Sequence, residues 1–294
     1  MKSAGHRLGF LAVTGSAIAW SLGGLFTRLI PVDSWTLLAW RGVFGAAGLG
    51  LIMPLLPERG GLSALRAMGW IGVLFVVQAA AGMIFYLTAL RHTSVANVAV
   101  IYATAPFLAG AIGWWILGER PSASALAASA LALSGVVVMV GFGGAGGWLG
   151  DALAFGMTLT MAVTMVVVRR YPGIPIIFTA FLASLLSAAF SWPFGAPLAA
   201  SPRELVLLAA FGVVNFAIGL PLFTFGARRL PPIETALIGA LDAPLAPLWV
   251  WLAVRETPSR STLVGGVIVF GAVAAHMIAT ETRLRAAAAG REAP

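Results

Sequence analysis

The sequence predicts an all-α integral membrane protein: ten transmembrane helices, built as two inverted five-helix repeats, with both termini in the cytoplasm. Three observations predict it. The 294 residues are 60% hydrophobic and 10% charged, with a mean hydropathy of +0.97, against about 25% charged in an ordinary soluble domain. Ten apolar runs each reach the ~20 residues that a bilayer crossing requires. Stretches about 138 residues apart also look alike.

The runs cover 8–30, 34–56, 67–90, 93–117, 123–142, 148–169, 174–195, 203–227, 233–253 and 260–280. The first follows Lys2 and Arg7 and contains Ala17-Ile18-Ala19, which matches a signal-peptide cleavage pattern. The apolar run continues to Ile30, so it is expected to be a retained span. The next breaks are Pro31-Val32-Asp33, Pro57-Glu58-Arg59-Gly60-Gly61, Arg91-His92, Glu119-Arg120-Pro121 and Gly143 to Gly147. Those of the second half are Arg169-Arg170, Ser201-Pro202, Arg228-Arg229 and Arg255-Glu256-Thr257-Pro258, and the tail from Glu281 is polar.

Composition also excludes whole classes of chemistry. The absence of cysteine removes disulfides, thiolate catalysis and Cys-ligated metal. His6, His92 and His276 read as isolated, so no metal site is expected. No phosphate-binding loop is visible, so neither ATP nor any other cofactor is expected. No HExxH motif or paired-acid cluster lies at membrane depth, which argues against an enzyme. The formal charge of +8 reads as an orientation signal rather than a nucleic-acid footprint. With the N-terminus inside, inner segments hold Lys2, Arg7, Arg59, Arg66, Arg120, Arg169, Arg170, Arg228, Arg229, Arg283, Arg285 and Arg291. The outer loops hold Arg28, Arg91, Arg203, Arg255 and Arg260. This bias toward the inside places both termini in the cytoplasm.

The repeat joins residues 1–142 to 143–294, the second half ending in a short cytoplasmic tail. Ala89, Arg91, Ala105 and Pro106 recur as Ala227, Arg229, Ala243 and Pro244, and Glu119 and Pro121 recur as Glu256 and Pro258. Earlier, Trp20 and Arg28 fall opposite Met161 and Arg169. Five is odd, so the second half is inverted. Inverted halves point to transport, because they can exchange conformations around a shared site. A channel is the other use of such a duplication, but the polar groups cluster at one depth rather than forming a continuous stripe.

Several stretches carry a family resemblance. They are Ala39-Trp40-Arg41-Gly42-Val43-Phe44, Ala105-Pro106, Leu117-Gly118-Glu119-Arg120-Pro121 with Leu133-Ser134-Gly135, Gly150-Asp151-Ala152-Leu153, and Ala243-Pro244 to Glu256 and Gly265-Gly266. With ten spans in two halves, the chain resembles the drug/metabolite transporter superfamily, EamA type, over about residues 8 to 280. The resemblance implies a multi-pass protein of the bacterial inner membrane, monomeric, that exports small metabolites, notably neutral or aromatic amino acids, by alternating access. Drugs or other metabolites are the alternative cargo. It also implies that the first four helices of each half surround a cavity and that the fifth is peripheral.

Polar side chains are costly at mid-bilayer, so those present should face protein or water. Gln78, Tyr102, Thr104, Thr158, Thr160, Asn215 and Asp242 all fall near the middle of their spans. Trp20 is central too, and serves either tight packing or a stacking shelf for substrate, with Met161 as its repeat partner. Trp20, Gln78, Tyr102, Met161, Asn215 and Asp242 are therefore the expected cavity lining. An ionised Asp242 costs ~2.5–3.5 kcal/mol at that depth, so it should bind a substrate ammonium, carry a coupling proton or be paired structurally. Arg41 lies about 10 Å into the second span by helix rise. It can snorkel outward, cap a helix end or meet a substrate carboxylate. Glu234, in the first turn of the ninth span, complements the helix dipole. Pro106, Pro221, Pro244 and Pro247 interrupt spans, and Pro106 with Pro244 reads as a matched hinge. Trp35, Trp70, Trp114, Trp115, Trp148, Trp192, Trp249 and Trp251 fall near span ends, as an interfacial belt requires. Ala130 with Ser134, and Gly271 with Ala275, are expected to pack the fifth and tenth helices closely.

Overall fold

The computed structural model describes residues 2–55, 61–141, 147–255 and 257–292. Glu256, most of the Pro57 to Gly60 break and the boundary between residues 142 and 143 lie outside them. The described chain forms thirteen α-helices and no strand. They are α1 (Lys2–Leu29), α2 (Ser34–Ile52), α3 (Gly61–His92), α4 (Val95–Tyr102), α5 (Ala105–Leu117), α6 (Ala123–Val140), α7 (Trp148–Arg170), α8 (Ile176–Ser191), α9 (Pro202–Gly212), α10 (Leu220–Ala227), α11 (Pro232–Gly239), α12 (Asp242–Val254) and α13 (Arg260–Glu292). They make ten stretches long and apolar enough to cross a membrane.

Local chemistry sets the boundaries. Asp33 caps α2 by accepting the Trp35 and Thr36 amides at 2.9 and 3.0 Å. Ser94 and Ser122 cap α4 and α6 in the same way. Ser201 and Glu204 form a reciprocal capping box at α9. Gly69 interrupts α3 with φ 55°, a conformation that glycine adopts without steric cost.

Besides the third span, kinked at Gly69, three others are not single α-helices. The eighth runs α9, a π-helical segment Val213–Gly219, then α10. The fourth divides into α4 and α5, and the ninth into α11 and α12, each as 8 then 13 residues. Helix starts correspond at 232 − 95 = 137 and 242 − 105 = 137. Both breaks carry the same bonds: Ala103 N–H to Ala99 and Ile101, Ala240 N–H to Ala236 and Ile238. Both second halves end on a left-handed residue, Gly118 and Arg255. The backbone register is thus one residue shorter than the 138 expected, and Asp242 lies opposite Ala105 rather than Thr104. Pro106 and Pro244 are the second and third residues of α5 and α12. They begin helices where an N–H has no intrahelical partner. Pro247 lies inside α12, and Pro221 is the second residue of α10, just after the π-helical part of its span.

Contacts between the halves recur when the halves are exchanged. α3 packs on α7 as α10 packs on α1, and α3 on α8 as α9 and the π segment pack on α2. α5 packs on α7 as α12 packs on α1, while α2 with α8 and α6 with α13 are self-paired. The α6–α13 seam is not where the sequence placed it. Ala130, Ser134, Gly271 and Ala275 are exposed. The seam runs one turn-face away, where a Cβ on Gly135 would lie 2.8 Å from the Gly265 carbonyl oxygen.

One end of the bundle is tied by charge. Arg7 of α1 pairs with Glu281 of α13, which brings the two ends of the described chain together. Arg169 holds Glu119 through its Nε at 2.8 and 2.9 Å and its Nη2 at 2.6 Å, and donates to the Leu230 carbonyl at 2.8 Å. A cavity of about 310 Å³ opens beside this pair. Exposed Trp70, Trp114, Trp115, Trp148 and Trp251 fit the interfacial belt. Trp249 instead donates inward to the Ser21 hydroxyl at 2.8 Å.

Candidate functional site

The two helix breaks face one another. Ala103 and Ala243 pack into the same small cluster with Val136 and Val269. Tyr102 is the last residue of α4 and Asp242 the first of α12, and their side chains interact electrostatically. Asp242 is therefore not in the middle of a continuous helix. It stands at a helix N-terminus, where the dipole favours an acid and offsets part of its cost.

Tyr86 of α3, which the sequence reading missed, joins this group. It feels Arg41, Asp242 and Tyr102 electrostatically. Tyr86 keeps 42% of its surface accessible. Tyr102, Asp242 and Arg41 are half-buried. None of these four side chains is fully buried. A signal for Tyr86 was present: it follows Gln78 by eight residues, which puts both on one helical face.

The other expected lining residues are held by bonds between spans. The Trp20 indole N–H donates to the Asn215 carbonyl at 3.0 Å, and its ring lies 4.9 Å from that of Phe223. The Asn215 amide returns a bond to the Ala19 carbonyl at 3.3 Å. Asn215 sits in the π segment, whose wider turn brings it against α1. Trp20 and Met161 pack on one cluster that includes Phe75, Ala105 and Phe223. Gln78 donates to the Thr160 carbonyl at 2.9 Å and to the Thr164 hydroxyl at 3.2 Å. The Thr104, Thr158 and Thr160 hydroxyls bond their own helix backbones, as threonine often does.

Two charges found unexpected surroundings. The Arg41 guanidinium lies 5.6 and 5.5 Å from the ring centroids of Phe211 and Phe216. Glu234 is in the first turn of α11 as expected, but His6 Nε2 lies 3.3 Å from it and His276 Nε2 3.6 Å. These two histidines were read as isolated in sequence, and the fold brings α1, α11 and α13 together on that carboxylate. No metal-binding cluster is present among the described residues.

Comparison with known proteins agrees with this architecture. A solved crystal structure superimposes with a TM-score of 0.80 over 95% of this chain and 99% of its own, at 22% identity, which shows the fold. A Streptantibioticus cattleyicolor protein described as a probable terminal-alkyne amino-acid exporter is 27% identical over 188 residues. That match covers 60% of this chain and 62% of the relative. The model of the EamA-like transporter family matches twice, over residues 7–141 and 148–277, once in each half. With ten apolar spans and this double match, the chain belongs to the EamA-like transporter family and is a multi-pass membrane protein.

Proposed function

We propose that this transporter exports neutral amino acids or similar small zwitterions across the bacterial inner membrane, by alternating access about the two facing helix breaks. The observation that carries the reading is the juxtaposition of Tyr102 and Asp242 at those breaks, beside accessible Tyr86. Broken helices place polar backbone and charge at mid-membrane, where transport sites form. Residues 1–142 and 143–294 act as the two inverted halves, with both termini cytoplasmic. The double family match and the exchange-symmetric contacts support that division.

Trp20, Met161 and Tyr102 supply apolar and aromatic walls, and Gln78 and Asn215 shape the polar floor from their interhelical bonds. Asp242 recognises a substrate ammonium or carries a coupling proton. Pro106 and Pro244 let each half-helix swing about its break. The relative's description as an amino-acid exporter supports the cargo class, and drug-like cations remain the competing cargo because Asp242 would attract them equally.

The test is flux of a panel of amino acids, amines and cationic drugs into proteoliposomes, with and without a proton gradient. Single cysteines at positions 20, 78, 102, 161, 215 and 242 of the cysteine-free chain report the cavity in parallel. Substrate should slow their reaction with a small polar thiol reagent. Cysteines that are uniformly inert would place these residues in packed contacts instead.

A further inference from the structure

Arg41 is the residue whose surroundings the fold leaves incomplete. Its Nε is sealed from water and has no hydrogen-bond partner. Among the described residues no carboxylate lies within ion-pair distance of its guanidinium, although His6, Arg7, Arg169 and His276 each have one. Arginine stays charged in proteins, so this is a cation inside a membrane bundle without an anion. Its Nε is desolvated without compensation, which is unfavourable.

The side chain is nonetheless held with care. Phe211 of α9 and Phe216 of the π segment present their rings to it. Gly45, one turn on from Arg41, gives Phe216 its seat, where an added Cβ would approach the ring's Cγ to 2.9 Å. Gly42 brings α2 so close to α8 that a Cβ there would lie 2.6 Å from the Ser184 carbonyl oxygen. These contacts hold the guanidinium between the two rings, within electrostatic range of Tyr86. Cation–π contacts hold a guanidinium by its face and leave the N–H donors in its own plane available.

We propose that Arg41 is an anion-binding point of the transport path that takes the carboxylate of the cargo. A carboxylate supplies two acceptors in one plane, which matches the guanidinium fork. The inference rests on the chain being a transporter, but it does not require the cargo to be an amino acid. Selection then acts at two points: Asp242 admits a cationic group and Arg41 demands an anionic one. An amine lacking the carboxylate would leave Arg41 uncompensated and be disfavoured.

The test labels the full-length protein in nanodiscs with phenylglyoxal and follows the Arg41 peptide by mass spectrometry. Benzoate, L-leucine and L-leucinamide are the probes. Benzoate and L-leucine should each slow modification of Arg41 about tenfold, the discrimination that one charge-assisted bond supports, and L-leucinamide should not. Protection by benzoate without protection or flux of L-leucine would uphold the anion site and remove the amino-acid reading. Protection by leucinamide equal to that by leucine, or no protection by any carboxylate, would overturn the proposal. So would an Arg41 that phenylglyoxal never modifies. Arg41→Gln and Arg41→Lys add a second readout. Gln should erase the preference for acid over amide, and Lys should restore part of it. Both variants losing stability with the preference intact would mark Arg41 as structural.

Discussion

At the scale of single residues, position relative to a helix end decides more than residue type. Asp242 looked uncompensated in sequence, because no Lys or Arg neighbours it on its span. The break at 240–241 turns it into the first residue of α12, with the helix dipole beneath it. Asp242→Asn should lower amine-dependent transport about 10- to 100-fold, the range for losing a bond to a charged group. A purely coupling role predicts a different outcome, with exchange intact and pH-driven accumulation abolished. Wild-type binding and pH dependence in this variant would end both versions. Asp33 offers a second test, outside the spans. Burial works against its charge, but bonds from the Thr36 hydroxyl and from the Thr36 and Trp35 amides outweigh it and hold the carboxyl below its usual value. A carboxyl lowered by folding contributes stability above its unfolded pKa, near 3.9, and loses it as pH falls through the folded value. Asp33→Ala should cost about 1 kcal/mol at neutral pH, toward the low end because the site is exposed. The gap to wild type should close below about pH 4 in thermal unfolding. A gap that is the same at pH 7 and pH 3 would contradict this.

Helices and their seams carry the next set of effects. Gly42 and Gly271 look equivalent in sequence, both small residues in apolar spans. Only Gly42 is a point of close approach, with the Ser184 carbonyl oxygen and the Ala188 side chain in the way of a Cβ. Gly42→Ala should destabilise by about 1–3 kcal/mol as an overpacked contact. Gly271→Ala meets open space and should be neutral or slightly stabilising through helix propensity. Thermal unfolding in detergent compares them directly, and equal losses would mean the seam is misplaced. Pro106→Ala and Pro244→Ala test the hinge. Each proline starts a half-helix, so replacement should leave the fold in place with stability changed by less than about 1 kcal/mol. Transport should slow if the break must bend. Unchanged flux in both variants would leave these prolines as helix starters alone.

For the whole molecule, ion pairs between spans of the two halves gather at one end. Glu119 and Arg169 join the fourth and sixth spans, and Arg169 also reaches the Leu230 carbonyl before the ninth. Those are spans of both halves, so the contact must break if this end opens. Glu119→Gln should raise the reactivity of a cysteine at position 104 toward a reagent added from the cytoplasmic side. Unaltered reactivity would mean that this pair does not gate. Orientation is testable separately. A fluorescent protein at the C-terminus should be bright and alkaline phosphatase there inactive. An active phosphatase would reverse the topology and take the inverted halves with it.

The sequence by itself determined the class, the ten spans and the twofold duplication. Those depend on the hydropathy of long segments and on matching residues, which survive without any knowledge of contacts. It also marked Trp20, Gln78, Tyr102, Asn215 and Asp242 by their cost in a membrane. Only the tertiary structure decided which of those costs is met by a neighbouring helix. Gln78 and Asn215 spend their amides between spans, and His6 and His276 meet on Glu234 from distant parts of the chain. Pro106 and Pro244 marked the broken fourth and ninth spans, but the exact breaks were not legible because the apolar runs are continuous across 103–104 and 240–241. Hydropathy reports what a segment dissolves in, whereas the path of the backbone and the partner of each charge are set by what packs against it.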